Sequence, residues 1–275
     1  MSYLFLAGLA LAAPSDCPHH HRGDLVVAQP SDIPSCLETV DGDLVVGTSA
    51  AVLRFPQLTD VTGKLDLTLS RKGRAVFPRL ERVHGRFEAK LRGTRALELP
   101  RLAWVGAALG VDADPLLGAS GLERVRRLEG GLWLFGGGEL GELLPGLEVI
   151  HGTVLLQPSA PMRHLLPGLT RVGGHVVSSN GAHLTLTGLG ALESVGGGLY
   201  LFGGRDLALP ALKRVGGALA IRDSRLTALS QLGSEGTQVG ALLLRDNPKL
   251  AKWPSHLDVP KSRIQVRGSP ELHTP

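Results

Sequence analysis

Leu209-Pro-Ala-Leu212-Lys-Arg-Val215-Gly-Gly-Ala-Leu219-Ala-Ile221 is the stretch on which the fold turns. It joins two phrases, a Leu-Pro-x-Leu corner and a Leu-x-Leu strand, through a valine and a glycine turn. Both phrases recur along the chain. The first apolar residue of the Leu-x-Leu phrase stands at Leu44, Leu65, Phe87, Leu109, Leu132, Val154, Val176, Leu199, Leu219, Leu242 and Ile264. The steps between them are 21, 22, 22, 23, 22, 22, 23, 20, 23 and 22 residues. Repetition at a fixed period of this size marks a stacked-repeat architecture. The second apolar position follows at Val46, Leu67, Ala89, Val111, Leu134, Leu156, Ser178, Leu201, Ile221, Leu244 and Val266, where only Ser178 is polar.

The corner phrase runs in phase with the strand phrase. It appears as Phe55-Pro-Gln-Leu58, Phe77-Pro-Arg-Leu80, Leu99-Pro-Arg-Leu102, Leu144-Pro-Gly-Leu147, Leu166-Pro-Gly-Leu169 and Leu209-Pro-Ala-Leu212. Proline cannot donate to a strand ladder, so it marks a corner, and glycine is expected to supply the tight turn before the next strand. Period-2 alternation between such breakers predicts short strands and leaves no room for helices. The expectation is an all-β, single right-handed β-helix or leucine-rich-repeat-like solenoid of about eleven coils of ~22 residues. Pectate-lyase-like β-helices and leucine-rich repeats share this logic. The latter expect a fixed corner asparagine and a helix per unit, and neither is read here.

Composition agrees. Glycine numbers 37 of 275 residues, nearly twice the usual ~7% share, and it is spread along the chain. Apolar residues make up 43%, enough for a sizeable core, but aromatics only 4%. The formal charge of +4 comes from scattered basic residues with no stacking aromatics among them, which argues against nucleic-acid binding. Residues 1–13 read as a signal peptide: the apolar run Leu4 to Ala13 ends in small residues at Ala10-Leu11-Ala12, without a basic n-region. The solenoid then occupies 14–275, with an N-terminal cap over 14–40 and a C-terminal cap over ~250–275. No later stretch resembles a transmembrane segment. The only cysteines, Cys17 and Cys36, read as a disulfide, since an even pair in an exported chain most often forms one. Secretion, a periplasm or the cell surface is the expected location.

The start of the solenoid, Cys36-Leu-Glu-Thr-Val40-Asp-Gly42-Asp-Leu44-Val-Val46, resembles the opening of receptor L domains, the ligand-binding β-helices of insulin and epidermal growth factor receptors. Leu192-Glu-Ser-Val195-Gly-Gly-Gly-Leu199 and Leu212-Lys-Arg-Val215-Gly-Gly-Ala-Leu219 look like the bacterial-type branch of that family. So do Asp246-Asn247-Pro248-Lys-Leu250 and its echo Ser269-Pro270-Glu-Leu272. The likeness covers roughly residues 17 to 272. It implies pairing of Cys17 with Cys36 and an extracellular recognition module. No cysteine-rich module, transmembrane segment or kinase accompanies the repeats, so receptor signalling is not implied. The family's ligand contacts vary, and none transfers by residue.

Stacked coils turn sequence distance into space, which allows each candidate site to be weighed. Asp66 and Glu88 fall at one phase of adjacent coils, about 5 Å apart, a spacing that suits a retaining glycosidase. Lys64 and Arg86 sit two residues earlier and favour an ion ladder instead. His84 and His151 share a phase three coils apart, on the order of 14 Å, too far to share one metal ion. His19-His20-His21 reads as a solvated loop, and Arg22-Gly23-Asp24 as an accidental match to an integrin-binding tripeptide. The runs Gly136-Gly-Gly138 and Gly196-Gly-Gly198 lack the ending of a phosphate loop. No catalytic, metal or cofactor site is read.

The outward middle residues of Leu-x-Leu carry the functional reading. From the fifth phrase to the tenth they are Trp133, Leu155, Val177, Tyr200, Ala220 and Leu243, without a charge. Phe135 and Phe202 lie two residues farther along their strands, in two nearly copied segments. Nothing in a solenoid requires aromatics there, and a contiguous apolar patch usually marks an interaction site. Trp133, Phe135, Leu155, Val177, Tyr200, Phe202 and Leu243 are therefore the candidate surface for an unknown protein or glycan, self-association included. The alternatives are a structural envelope or spacer protein and, behind it, a polysaccharide-acting β-helix enzyme.

Overall fold

A Leu-x-Leu strand can bury its first and third residues only if coils stack in register. In the computed structural model they do. The structure describes residues 17–69, 72–91, 93–94, 96–113, 119–136, 144–159, 166–179, 185–186, 188–204 and 206–272. The signal-peptide reading and Gly137 and Gly138 lie outside them.

The principal face is one parallel stack. Its strands are Leu25–Val27, Leu44–Thr48, Leu65–Leu69, Phe87–Lys90, Leu109–Ala113, Leu132–Gly136, Val154–Pro158, Val176–Ser178, Leu199–Phe202, Arg214–Arg222, Thr237–Arg245 and Ile264–Arg267. Each phrase residue pairs with its counterpart, as in Leu132↔Val154 and Leu134↔Leu156. Leu25–Val27 pairs with Leu44–Val46, one rung before the first phrase. That rung was missed although Gly23-Asp-Leu-Val-Val27 copies Gly42-Asp-Leu-Val-Val46; the departure from the phrase is His21, which stands where the later rung has Val40. The expected caps are thus partly built of rungs: Leu257–Asp258 and Ile264–Arg267 continue the stack at the far end. Trp253 packs partly buried against the core there.

A second row of short parallel strands precedes the first in every coil, for example Arg82–Val83, Trp104–Val105 and Arg127–Leu128. A smaller parallel sheet, Val52–Arg54, Arg74–Val76, Ala96–Glu98 and Ala119–Ser120, forms another face of the N-terminal coils. The helices described are the 3-10 turns Pro30–Asp32 and Lys261–Arg263. In the first, the Asp32 carboxylate accepts from the N–H groups of Gln29 and Ala28, both at 2.9 Å. Those bonds hold it below the usual carboxylate range. Their contribution is present above the unfolded-state value and is lost as pH falls through the lowered one.

The Leu-Pro-x-Leu corners are hydrogen-bonded turns. The Leu102 N–H donates to the Leu99 carbonyl at 3.0 Å, and Leu212 to Leu209 at 3.1 Å. Proline occupies the second turn position, where its fixed φ fits and its missing N–H goes unneeded. Inside, the corner residues stack from coil to coil, and the Phe55 and Phe77 rings lie parallel with centroids 4.6 Å apart.

Glycine's reason differs from the one expected. Gly63, Gly85, Gly130, Gly152, Gly174 and Gly197 lie outside the left-handed φ region. What they share is close approach: a Cβ on Gly152 would sit 2.6 Å from the carbonyl carbon of Gly130. The turns stack backbone on backbone, so the column needs the absence of a side chain more than conformational freedom.

No asparagine recurs at a fixed corner, but one coil carries a buried one. Asn247 is fully buried; its Oδ1 accepts from Ser224 N–H at 3.1 Å and Ser224 Oγ at 2.6 Å. Its Nδ2 donates to the Ile221 carbonyl at 2.9 Å. One side chain thus satisfies the backbone of the neighbouring corner, as buried polar groups require.

Ser178 is the exception in the inward column. It is 0% exposed, and its Oγ has no hydrogen-bond partner among the described residues. An unsatisfied buried hydroxyl costs about 1–3 kcal/mol. Ser178→Ala is expected to raise stability by about 1 kcal/mol, read as a higher thermal midpoint with an unchanged β spectrum.

Candidate functional site

The outward row is a consequence of register. Trp133 stands beside Leu155, Leu155 beside Val177, and Val177 beside Tyr200. Tyr200 stands beside Ala220 and Ala220 beside Leu243. The structure therefore brings the expected residues into one file along the solenoid. Trp133, Leu155, Val177, Tyr200, Leu243 and Phe135 are half-buried, and Phe202 is 36% exposed. The most exposed large apolar side chain described is Val26, at 66%, on the first rung of the same row.

The two aromatic copies share a seating device. A Cβ on Gly198 would meet the Tyr200 ring at 2.6 Å, and one on Gly131 would lie 3.6 Å from Trp133 Nε1. Each ring leans back over the glycine two residues before it, so the Gly-Leu-aromatic-Leu-Phe spelling encodes a flattened ring. His175 lies beside Tyr200, centroids 5.7 Å apart, and its Nδ1 accepts from the Gly198 N–H at 2.8 Å. The Arg86 guanidinium reaches across the Gly110 rung to lie 4.6 Å over the Trp133 ring.

Several residues of this face were not read from sequence. Gly110 sits between Glu88 and Trp133 in the row and leaves a gap that Lys90, Asp112 and Phe135 help to line. A step in an otherwise filled row was the available signal. Beside Phe202, Arg222, Arg245 and Arg267 align on successive rungs. Arg222 and Arg245 pair with their own neighbours Asp223 and Asp246 at 3.0 and 3.1 Å.

The structure places the remaining candidates as follows. Asp66 and Glu88 are register partners. Arg86 pairs with Glu88 at 2.7 Å as expected, but Lys64 turns away from Asp66 to Asp43 at 3.4 Å. His84 and His151 stand three rungs apart, His84 against the edge of Trp104 and His151 accepting from Arg127 at 2.9 Å. His20–Arg22 is a strand rather than a solvated loop, and the His19 and His20 side chains bond to Glu38 and Thr39. In the tripeptide, Gly23 adopts φ +88° beneath Gly42, and Asp24 Oδ1 accepts from the Asp43 N–H at 2.8 Å. Asp43 repeats that bond to Lys64 at 2.8 Å.

These features define a parallel β-solenoid with a disulfide, Cys17–Cys36, Cα–Cα 5.9 Å, across its first coil. Among the described residues no helix is long and apolar enough to cross a membrane. No family model, curated protein or solved structure matches the chain.

Proposed function

We propose that the chain is a non-enzymatic binding module of the receptor-L-domain type, working outside the cell or at its surface. It recognises a protein or glycan through the outward strand face. One observation carries this reading: the uncharged, half-buried file from Trp133 to Leu243, edged by the exposed Phe202. Buried leucines account for the core without it, and Trp and Tyr are the side chains that most often anchor an interface. The disulfide supports an oxidising location.

The test is Trp133→Ala combined with Tyr200→Ala, measured for thermal stability and for association with a partner captured by the intact protein. Association is expected to fall at least tenfold while the midpoint moves by only a few degrees. A loss of about 3–5 kcal/mol of stability, the cost of truncating a core aromatic, with binding retained, would make both rings packing residues.

Turnover is not expected. Purified protein incubated with plant, algal and bacterial polysaccharides should release no reducing ends. Release that disappears in Asp66→Ala or Glu88→Ala would replace the binding reading with a glycosidase.

A further inference from the structure

We infer that the depression at Gly110 is a subsite for one pyranose ring of a glycan, which deepens the binding reading above and rests on it. Glycine leaves the outward row open between Glu88 and Trp133. The resulting cavity, about 160 Å³, is lined by Glu88, Lys90, Gly110, Asp112, Trp133 and Phe135. That is below the ~300–1,000 Å³ of a pocket for a whole small molecule and suits one ring of a larger ligand.

Its lining is divided by chemistry. Trp133 and Phe135 belong to one rung; Phe135 offers aromatic surface, and Trp133, whose ring carries the Arg86 guanidinium, offers its Cε3 edge. Glu88, Lys90 and Asp112 belong to the two rungs before it and offer charged groups. A pyranose has the same division, with an apolar C–H face and a rim of hydroxyls. Each hydroxyl both donates and accepts; carboxylates accept from it and the Lys90 ammonium donates to it.

A peptide fits less well. Phe87–Lys90 is paired on both sides, to Leu65–Thr68 and to Leu109–Asp112. The floor therefore offers no strand edge for main-chain addition. The walls are also held in advance. Arg86 Nη1 donates to Glu88 Oε1 at 2.7 Å, and the same guanidinium stacks 4.6 Å over Trp133. Preorganisation of that kind lowers the cost of ordering on binding.

Gly110 also supplies the test. A Cβ there would stand 3.4 Å from Trp133 Cε3 and 3.6 Å from Glu88 Cγ, at ordinary contact distance, and the backbone is outside the left-handed region. Gly110→Met should fold and fill the depression while leaving both aromatics in place. The probes are cellotriose, maltotriose, chitotriose and trigalacturonic acid, titrated to millimolar concentrations with the intact chain and followed by saturation-transfer NMR. At least one is expected to bind, with sugar-ring protons receiving the transfer. Gly110→Met should weaken it at least tenfold, and Lys90→Ala, an exposed change independent of the filling, several-fold. No binding by any of the four, or binding unaltered in both variants, overturns the subsite. If Trp133→Ala with Tyr200→Ala still abolishes association with a captured partner, the face remains a binding surface and only its assignment to a sugar falls.

Discussion

Phe77→Ala is expected to cost about 3–5 kcal/mol, the range for removing a fully buried phenylalanine. The side chain is 0% exposed and stacked on Phe55 at 4.6 Å with the rings 7° from parallel. Such ring pairs contribute about 0.5–1.5 kcal/mol beyond area burial. The cavity cannot close by local collapse, because coils above and below hold the corner at fixed spacing. In a solenoid, stability is a sum of coil and nearest-neighbour terms. The damage should therefore concentrate in the coils that meet at Phe55 and Phe77. Urea denaturation read by circular dichroism should show a lower midpoint, and the coils up to Leu102 should exchange amide protons first. A loss under about 1 kcal/mol would mean the corner column is not the core.

The second large effect belongs to the disulfide. Replacing both Cys17 and Cys36 with serine removes a cross-link spanning 19 positions, worth about 3 kcal/mol in the chain-entropy model. The consequence should again be local. The bridge joins the segment before His20–Arg22 to the segment before Thr39–Asp41, strands that pair in parallel. The rungs at Leu25–Val27 and Leu44–Thr48 should lose exchange protection, while Ile264–Arg267 keeps its own. Equal loss at both ends, or none at either, would contradict a coil-by-coil account.

Most of the architecture was legible because one constraint repeats. Two inward residues per strand, a proline corner and a glycine column leave the same mark every ~22 residues. Register followed from phase alone, and every outward residue from Trp133 to Leu243 stands where counting placed it. What escaped were features a single coil carries once. Leu25–Val27 carries the glycine and the strand phrase, but His21 replaces the valine that opens it elsewhere. Asn247 looks like any loop asparagine until Ser224 and Ile221 are found around it. The glycine column was recognised for the wrong reason, since a turn and a close backbone approach are spelled identically. The Gly110 depression follows from a missing side chain in the row; the reach of Arg86 across that rung to Trp133 is what sequence phase does not state. The partner itself leaves no periodic trace, because recognition resides in side chains the coil geometry leaves unconstrained.

The uncharged outward file is the central claim, and hydroxyl-radical footprinting tests it most directly. The intact chain would be oxidised alone and with its captured partner, and modification read residue by residue by mass spectrometry. Trp133, Tyr200 and Phe202 are expected to lose reactivity in the complex, while Trp253 at the far end and the exposed Val52 on the other sheet stay unchanged. Unaltered reactivity at all three aromatics, with protection around Val52 instead, would place the binding surface on a different face.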